Sequence, residues 1–299
     1  MLHNPRHNPG YRAAERPGEV ALVTVITPTF NSVATLEATI QSVLAQDHPN
    51  LRYWIIDGGS TDGTVALIER YADRLTGWVS EPDRGIYDAM NKGLAQVGSG
   101  WVYFLGSDDR LAAADALRTL LAACSDTAQV CYGDVIRQPS GHRYDGAFDA
   151  TKLAERNICH QAICYRAELL HAEGGFDLRY PLLADYVFNV QTFTRSDVEW
   201  CYVPVVVAYY QEGGATGGQR LDLAYWADRE QLFRQSLRRA ISPRQLYHPY
   251  GPYILHQLRK GALGAGLRYL WRSLWHAGRW DLLRPALGAL RQRWQSAHV

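Results

Sequence analysis

The chain has 299 residues, 47% of them hydrophobic and 20% charged, with a formal net charge of +1. This is enough apolar material for one large α/β domain or two smaller ones, and no run of ~18 apolar residues free of charge marks a membrane-spanning helix. The charge is uneven: from Arg220 onward there are 14 Lys and Arg against 4 Asp and Glu, whereas residues 1–219 hold 17 against 26. Such asymmetry separates two parts with different partners.

The five cysteines, Cys124, Cys131, Cys159, Cys164 and Cys201, are odd in number and show no C-x-x-C spacing. Neither a zinc site nor a disulfide framework is expected from them, and the chain reads as cytoplasmic. Residues 1–19 are polar, lack the apolar centre of a signal peptide and read as a flexible lead.

Residues 20–26 are a β-branched run that reads as a first buried strand, stopped at Pro28. A helix should follow, capped by Asn31 or Ser32, with Leu36, Ile40, Val43 and Leu44 on one face. Residues 52–56 form a second strand and end in Asp57-Gly58-Gly59-Ser60-Thr61-Asp62-Gly63. A helix with Val65, Ile68 and Ala72 on one stripe comes next, then a short strand at 78–80 and a helix over 86–97. Strand alternating with helix implies parallel βαβ units. Trp101-Val102-Tyr103-Phe104-Leu105 is a continuous apolar run, the pattern of a strand covered on both faces. It leads straight into Gly106-Ser107-Asp108-Asp109. Beyond it the pattern gives a helix through Cys124, a strand at 130–136, a hairpin turn at Pro139-Ser140-Gly141 and a strand at 159–165. A short helix at 166–172, a helix at 184–194 and a last strand at 199–210, broken by Pro204, complete an α/β domain over residues 20–219. Its second half should be mixed rather than parallel.

Open α/β sheets bind ligands at the carboxyl ends of their strands. Asp57, Asp62, Asp83, Asp108 and Asp109 fall there, and Asp185 opens a later helix. Adjacent carboxylates are costly to hold together without positive charge, and a divalent cation takes oxygen ligands. The competing role for Asp108 or Asp109 is to cap the helix that follows. No G-x-G-x-x-G opens a helix, and neither a P-loop nor a G-x-S-x-G elbow occurs. A carboxylate-lined edge instead suits a cation that bridges to phosphate oxygens. The pattern points to a nucleoside diphosphate held through Mg²⁺ or Mn²⁺.

Four motifs now stand in order: Val25-Ile26-Thr27-Pro28-Thr29-Phe30-Asn31, Ile55-Ile56-Asp57-Gly58-Gly59-Ser60-Thr61-Asp62-Gly63-Thr64, Asp83-Arg84-Gly85-Ile86-Tyr87-Asp88-Ala89-Met90-Asn91-Lys92-Gly93 and Phe104-Leu105-Gly106-Ser107-Asp108-Asp109. Together they resemble the family 2 glycosyltransferases with the GT-A fold, in the bacterial polysaccharide-assembly branch. The resemblance spans residues 22–215. It implies a mixed, mainly parallel sheet flanked by helices, with residues 220–299 as a C-terminal helical extension.

The resemblance also implies roles. Thr27, Pro28 and Asn31 would line the nucleotide pocket, with Arg84 and Asn91 counted in it. Asp57 would accept a hydrogen bond from the ring N–H of uracil or guanine. Asp108 would lie near the ribose and the metal, and Asp109 would be the main metal ligand. Asp185 would be the catalytic base, with His160 and Gln161 near the acceptor. Each has a plainer alternative: a turn at Asp57, a surface ion pair for Asp83 and Arg84, a solvent-facing Asn91, a helix-dipole acid at Asp185, and core polar groups at His160 and Gln161. Two positions depart from the family pattern. Gly106 stands where the usual D-x-D begins, and Ala184 stands where a Glu more often precedes the base. The Q-x-x-R-W motif of processive synthases is absent, so one sugar should move per event. The implied reaction is an inverting, metal-dependent transfer from a UDP- or GDP-sugar to a hydroxyl of a lipid-linked or glycan acceptor, in cell-surface polysaccharide synthesis.

The basic part reads as helices over 221–241, 254–275 and 280–294, with Trp271, Trp275, Trp280 and Trp294 among arginines. Interfacial helices combine residues in this way, so residues 254–299 are expected to dock on the anionic inner leaflet, making the protein peripheral there. The alternative is a helical cap on the catalytic domain. No nucleic-acid module accompanies the charge. Two other function classes stay open. One is a non-catalytic sugar-nucleotide-binding subunit, suggested by Gly106. The other is a nucleotidyltransferase, which would want a basic, Gly-rich triphosphate loop that Pro28-Thr29-Phe30-Asn31 does not supply.

Overall fold

The computed structural model describes residues 21–213, 221–237 and 240–296, so the expected lead at 1–19 lies outside the described residues. In chain order the first elements are β1 (Val23–Thr29), α1 (Leu36–Leu44), β2 (Leu51–Asp57), α2 (Thr64–Arg70), β3 (Gly77–Ser80), α3 (Ile86–Leu94), β4 (Trp101–Phe104), β5 (Arg110–Leu111) and α4 (Ala116–Ala122). Then come β6 (Val130–Gln138), β7 (Arg143–Tyr144), α5 (Ala150–Glu155), β8 (Ile163–Arg166), α6 (Ala167–Ala172), α7 (Ala184–Thr192) and β9 (Trp200–Gln211). The last are α8 (Leu223–Ser236), α9 (Pro243–Tyr247), α10 (Gly251–Lys260), α11 (Leu263–Ala277) and α12 (Leu283–Ser296). The described residues form two compact units. The first holds 21–147, 158–188 and 195–213; the second holds 148–157, 189–194, 221–237 and 240–296.

The first unit is built on a mixed, mainly parallel sheet in the order β3-β2-β1-β4-β8-β6-β9-β5, with β7 paired to β6. β1, β2, β3 and β4 run parallel, β8 runs against both β4 and β6, and β9 runs parallel to β6. The apolar runs seen in the sequence become the most deeply covered strands: every residue of β1 and of β4 is buried. α3 packs on β1 and β2 through Gly93, whose missing side chain lets the helix close in. A Cβ there would lie 2.4 Å from Ile26 Cγ2 and 3.2 Å from Ile56 Cγ1.

Several local expectations change for physical reasons. β1 does not stop at Pro28 but runs to Thr29. On the β4 side its pairing ends at Ile26, so the proline interrupts no ladder bond there. β9 is likewise not broken at Pro204. Tyr132 pairs with Tyr202 and Asp134 with Val206, so residues 203–205 bulge opposite Gly133 alone. A Cβ on Gly133 would stand 2.6 Å from the Val205 carbonyl oxygen, so only glycine allows that approach. The strand expected from residue 159 begins at Ile163, and His160–Ala162 form a 3-10 turn instead. The short β5 and α5 carry no periodicity that marks them in the sequence.

The second unit is organised around Arg229, which is 1% exposed. Its guanidinium donates to the carbonyls of Leu246, Ala154 and Gln245 and to the Tyr225 hydroxyl, and lies 4.1 Å from the Phe233 ring centroid. A buried arginine is tolerated when its five N–H groups find acceptors. Tyr250 and Tyr269 stack beside it with centroids 4.4 Å apart. Ser242 and Gln245 form a capping box at the start of α9, and Gly261, at φ 85°, separates α10 from α11 where one helix was expected. No helix among the described residues is long and apolar enough to cross a membrane.

The close α3 approach gives a direct test. Gly93→Val should destabilise the protein by about 1–3 kcal/mol through overpacking against Ile26 and Ile56, read as a shift in the urea midpoint.

Candidate active site

The carboxyl ends of β1, β2 and β4 bring the acidic loops together. At the end of β1 the chain turns sharply at Asn31, the one non-glycine residue with positive φ, 49°, among the described residues. Asparagine tolerates this region better than most. Its N–H donates to Ser60 Oγ at 2.7 Å, and its Oδ1 accepts from the Thr61 N–H at 2.9 Å. Asp62 accepts from the Val33 N–H and from both the N–H and hydroxyl of Thr64. The β1 and β2 loops are thus laced into one wall. Thr27 faces inward and pairs with the Tyr53 hydroxyl at 3.1 Å; Pro28 is buried beside it. Thr29 Oγ1 is buried with no hydrogen-bond partner among the described residues, and Phe30, at the rim, is 61% exposed. Neither had been singled out from the sequence, because nothing in their types marks them.

Asp57 is fully buried. Its carboxylate accepts from the Gly59 and Ser60 N–H groups and from the Ser60 and Ser80 hydroxyls. Three of these donors meet Oδ2 and one meets Oδ1, and together they tie the loop to β3. The acid beside it is different. Gly58 has no side chain, and the Asp83 carboxylate occupies the place one would take, with Oδ2 2.4 Å and Cγ 3.0 Å from an ideal Cβ. Asp83 Oδ1 accepts from the Gly85 N–H at 2.8 Å, and the residue is half-exposed.

Arg84 does not pair with Asp83. Its guanidinium reaches Asp88 at 3.0 Å from a side chain 75% exposed, and its N–H donates to the same carboxylate. The Arg84 cation holds Asp88 below the ordinary carboxylate range. Asn91 is half-buried and braces a neighbouring loop. Its amide donates to the Phe176 carbonyl at 2.8 Å and accepts from the Phe176 N–H at 2.9 Å, closing the loop at Gly174-Gly175 onto α3.

At the end of β4, Asp108 and Asp109 converge over Gly106. A Cβ on Gly106 would lie 2.5 Å from Asp109 Oδ2 and 3.1 Å from Asp108 Oδ1, so this backbone leaves no room for the acid that usually starts the motif. Asp109 is 1% exposed; its Oδ2 accepts from Gln161 Nε2 at 2.5 Å and its Oδ1 from the Gln211 N–H at 2.7 Å. Burial, and then the neighbouring Asp108 charge, push its pKa up to about 7. Burial raises Asp108 as well, but Asp108 is half-exposed and no side chain of the described residues hydrogen-bonds its carboxylate. Two adjacent acids raised above their ordinary range by burial, one of them also by its neighbour's charge, are what a divalent cation relieves, so the donor set fits such an ion. Gln161 is 3% exposed and donates to Asp109.

Asp185 opens α7 and is 5% exposed. Tyr87 on α3 donates its hydroxyl to Asp185 Oδ1 at 2.5 Å. Burial, reinforced by the Asp185 charge, raises the Tyr87 pKa well above its ordinary value, so the phenol stays a donor. His160 Nδ1 lies 3.9 Å from Asp185 Oδ2, and the charges of Asp185 and Asp108 both act on the ring. Burial outweighs them and lowers the His160 pKa, so the ring is neutral at pH 7. Its Nε2 is buried without a hydrogen-bond partner among the described residues. Asp185, His160 and Asp108 therefore form one connected cluster, while Tyr87 is a member that the sequence did not disclose.

Comparison with known proteins adds identity to this geometry. The family model described as "Glycosyl transferase family 2" matches residues 24–172. A PGL/p-HBAD biosynthesis glycosyltransferase of Mycobacterium bovis (strain BCG / Pasteur 1173P2) is 38% identical over 207 residues, covering 67% of this chain and 81% of that protein. A putative teichuronic acid biosynthesis glycosyltransferase, TuaG of Bacillus subtilis (strain 168), is 39% identical over 92 residues, 30% of this chain and 36% of that protein. Among solved structures, S. aureus TarS 1-349 in complex with UDP-GlcNAc superposes with a TM-score of 0.63 at 16% identity, covering 92% of both chains. The mannosyltransferase PcManGT from Pyrobaculum calidifontis, in complex with GDP-Man and Mn²⁺, superposes with a TM-score of 0.54 at 21% identity, over 95% of this chain and 78% of that one. At such identities the structural likeness supports the fold, and the sequence relatives supply the rest: the chain belongs to glycosyl transferase family 2 and is a glycosyltransferase of GT-A type.

Proposed function

We propose that the protein is an inverting, non-processive hexosyltransferase that moves one sugar from a UDP- or GDP-sugar to the hydroxyl of a lipid-linked or glycan acceptor in cell-surface polysaccharide or glycolipid synthesis. The observation that carries this reading is the buried acid Asp185, oriented by Tyr87 and adjoining a neutral His160 and the half-exposed Asp108. Asp185 accepts the acceptor's hydroxyl proton as that oxygen forms its bond to C1 of the sugar. The C1–O bond to the diphosphate breaks on the opposite face, so the anomeric carbon inverts in one displacement. Mg²⁺ or Mn²⁺ held by Asp108, with Asp109 behind it, would supply Lewis-acid stabilisation of the departing diphosphate. Asp108 takes the direct contact in this reading because the Asp109 oxygens are already engaged by Gln161 and Gln211. His160 stands on the acceptor side, where a neutral imidazole can hydrogen-bond a hydroxyl.

The same reading assigns the nucleobase. Phe30 offers an exposed ring on which a base can stack. Asp83, filling the space beside Gly58, offers the carboxylate that accepts the ring N–H of uracil or guanine, the role Asp57 is too enclosed to play. Cytosine presents an acceptor at that position and is rejected by a carboxylate.

Docking on an anionic inner-leaflet surface is the part of the proposal that concerns the second unit. Leu263, Leu267, Trp271 and Trp275 recur every four residues along α11 and are 41%, 47%, 62% and 67% exposed. Trp280, Leu287 and Trp294 continue the apolar exposure, 61%, 65% and 64%, into α12. Arg268, Arg284, Arg291 and Arg293 are exposed among them. A basic, Trp-rich face of this kind suits the boundary of headgroups and acyl chains, and an exposed run of large apolar groups calls for an occupant. Such a position would bring the first unit to lipid-linked acceptors.

Three measurements test these assignments. Asp185→Asn should abolish sugar transfer, by at least about a hundredfold for loss of a general base, while UDP or GDP binding in the presence of Mn²⁺ persists. Retained activity removes the base assignment. Asp83→Asn should weaken binding of the preferred uridine or guanosine diphosphate about tenfold, the worth of a charge-assisted hydrogen bond, and should improve CDP binding because an amide N–H can meet cytosine N3. Unchanged ranking of the three nucleotides counts against Asp83. Trp271→Ala with Trp275→Ala should remove most co-flotation with phosphatidylglycerol-containing vesicles without loss of fold, whereas neutral vesicles should recruit neither protein. Equal flotation of wild type and variant rejects the membrane face.

A further inference from the structure

Three of the five cysteines meet at the edge of the sheet opposite the acidic loops. Cys131 is the second residue of β6 and Cys201 the second of β9, and the two are register partners in the parallel ladder, so they project from the same face. Cys124, two residues beyond α4, approaches from above. Their sulfurs all lie within 4.8 Å of one another, and all three are free thiols. Cys131 is buried, whereas Cys124 and Cys201 are half-buried, so a small ion reaches the group from the α4 side. Cys164, the partner of Cys131 on β8, is not part of the group.

We propose that Cys124, Cys131 and Cys201 form a three-thiolate binding site for a soft d10 cation, Zn²⁺ or Cu⁺, independent of the catalytic acids. The geometry is close to what such an ion needs. Three sulfurs around a metal at about 2.3 Å each stand about 4 Å apart in a plane, so shifts of under about 1 Å complete the site from the spacing present. Thiolates select soft ions, and the hard Mg²⁺ or Mn²⁺ expected at Asp108 has no preference for sulfur. No fourth Cys, His, Asp or Glu joins the group among the described residues. A trigonal Cu⁺ site is thereby complete, whereas Zn²⁺ takes a water or an exogenous ligand as its fourth partner. Arg166, at the end of β8, acts electrostatically on Cys124. Each thiol that ligates gives its proton to solvent, so binding releases up to three protons and changes no oxidation state. Bound metal would pin the end of α4 to the amino ends of β6 and β9.

The test uses the full chain, reduced, freed of metal with a chelator and titrated anaerobically with Cd²⁺ as a spectroscopic stand-in, then with Zn²⁺ and Cu⁺ in competition. One equivalent should bring up a thiolate-to-metal charge-transfer band, and Tm should rise on binding. Cys124→Ser and Cys201→Ser, at half-buried positions that tolerate the change, should each lose the band or weaken binding by more than about tenfold. Asp108→Asn should leave the band intact. Absence of the band in the wild type, or an equal band in both serine variants, overturns the site. So does an air-formed disulfide within the trio if the re-reduced protein still takes no metal.

Discussion

A buried carboxylate must be met by donors, because an unpaired buried charge costs several kcal/mol. Four acids of the first unit show how. Asp57 draws in residues 59 and 60 and Ser80; Asp109 draws in Gln161 and Gln211; Asp134 draws in Arg143, Tyr202 and the N–H groups of residues 145 and 146; Asp185 draws in Tyr87. Each acid is 5% exposed or less, and each set of donors comes at least in part from another strand or loop. The acids are the fastenings by which loops distant in sequence are gathered at the sheet edge. Losing one donor exposes a buried charge rather than one missing contact, so the edge holds together as a set.

The same condition sorts the acids by use. An acid held by several donors of the protein shapes the site, as at Asp57. The proposed reaction draws instead on the half-exposed acids Asp83 and Asp108. The two kinds stand in adjacent pairs: Asp57 beside Asp83, Asp109 beside Asp108. The buried member fixes the backbone from which the exposed member works, and at the second pair the Asp108 charge adds to burial in raising Asp109.

The first strands and the acidic loops that follow them were legible because apolar runs and the acids that end them are local patterns. Val23 to Thr29, Ile55-Ile56-Asp57 and Trp101 to Asp109 carry their own punctuation. What was not legible depends on partners far away in the chain. Nothing near Gly58 shows that a carboxylate 25 residues on will fill its side-chain space. Nothing near Asn91 announces the Phe176 backbone, and nothing near Gln161 announces Asp109. Pro204 reads as a strand breaker until Gly133 is placed opposite it. The cysteines show no spacing motif because their meeting is made by strand register rather than by neighbours in sequence. Type and spacing thus reveal where the acids gather, while tertiary contacts decide which partners each acid takes.

Tyr87 sits only four residues after Asp83, across the start of α3, and its phenol is fixed to the carboxylate of Asp185. In the proposed reaction the reader of the nucleobase and the holder of the proton acceptor are joined by a single turn of chain. In that reading a change at the α3 amino end would touch selection of the leaving nucleotide and aim at the incoming hydroxyl together.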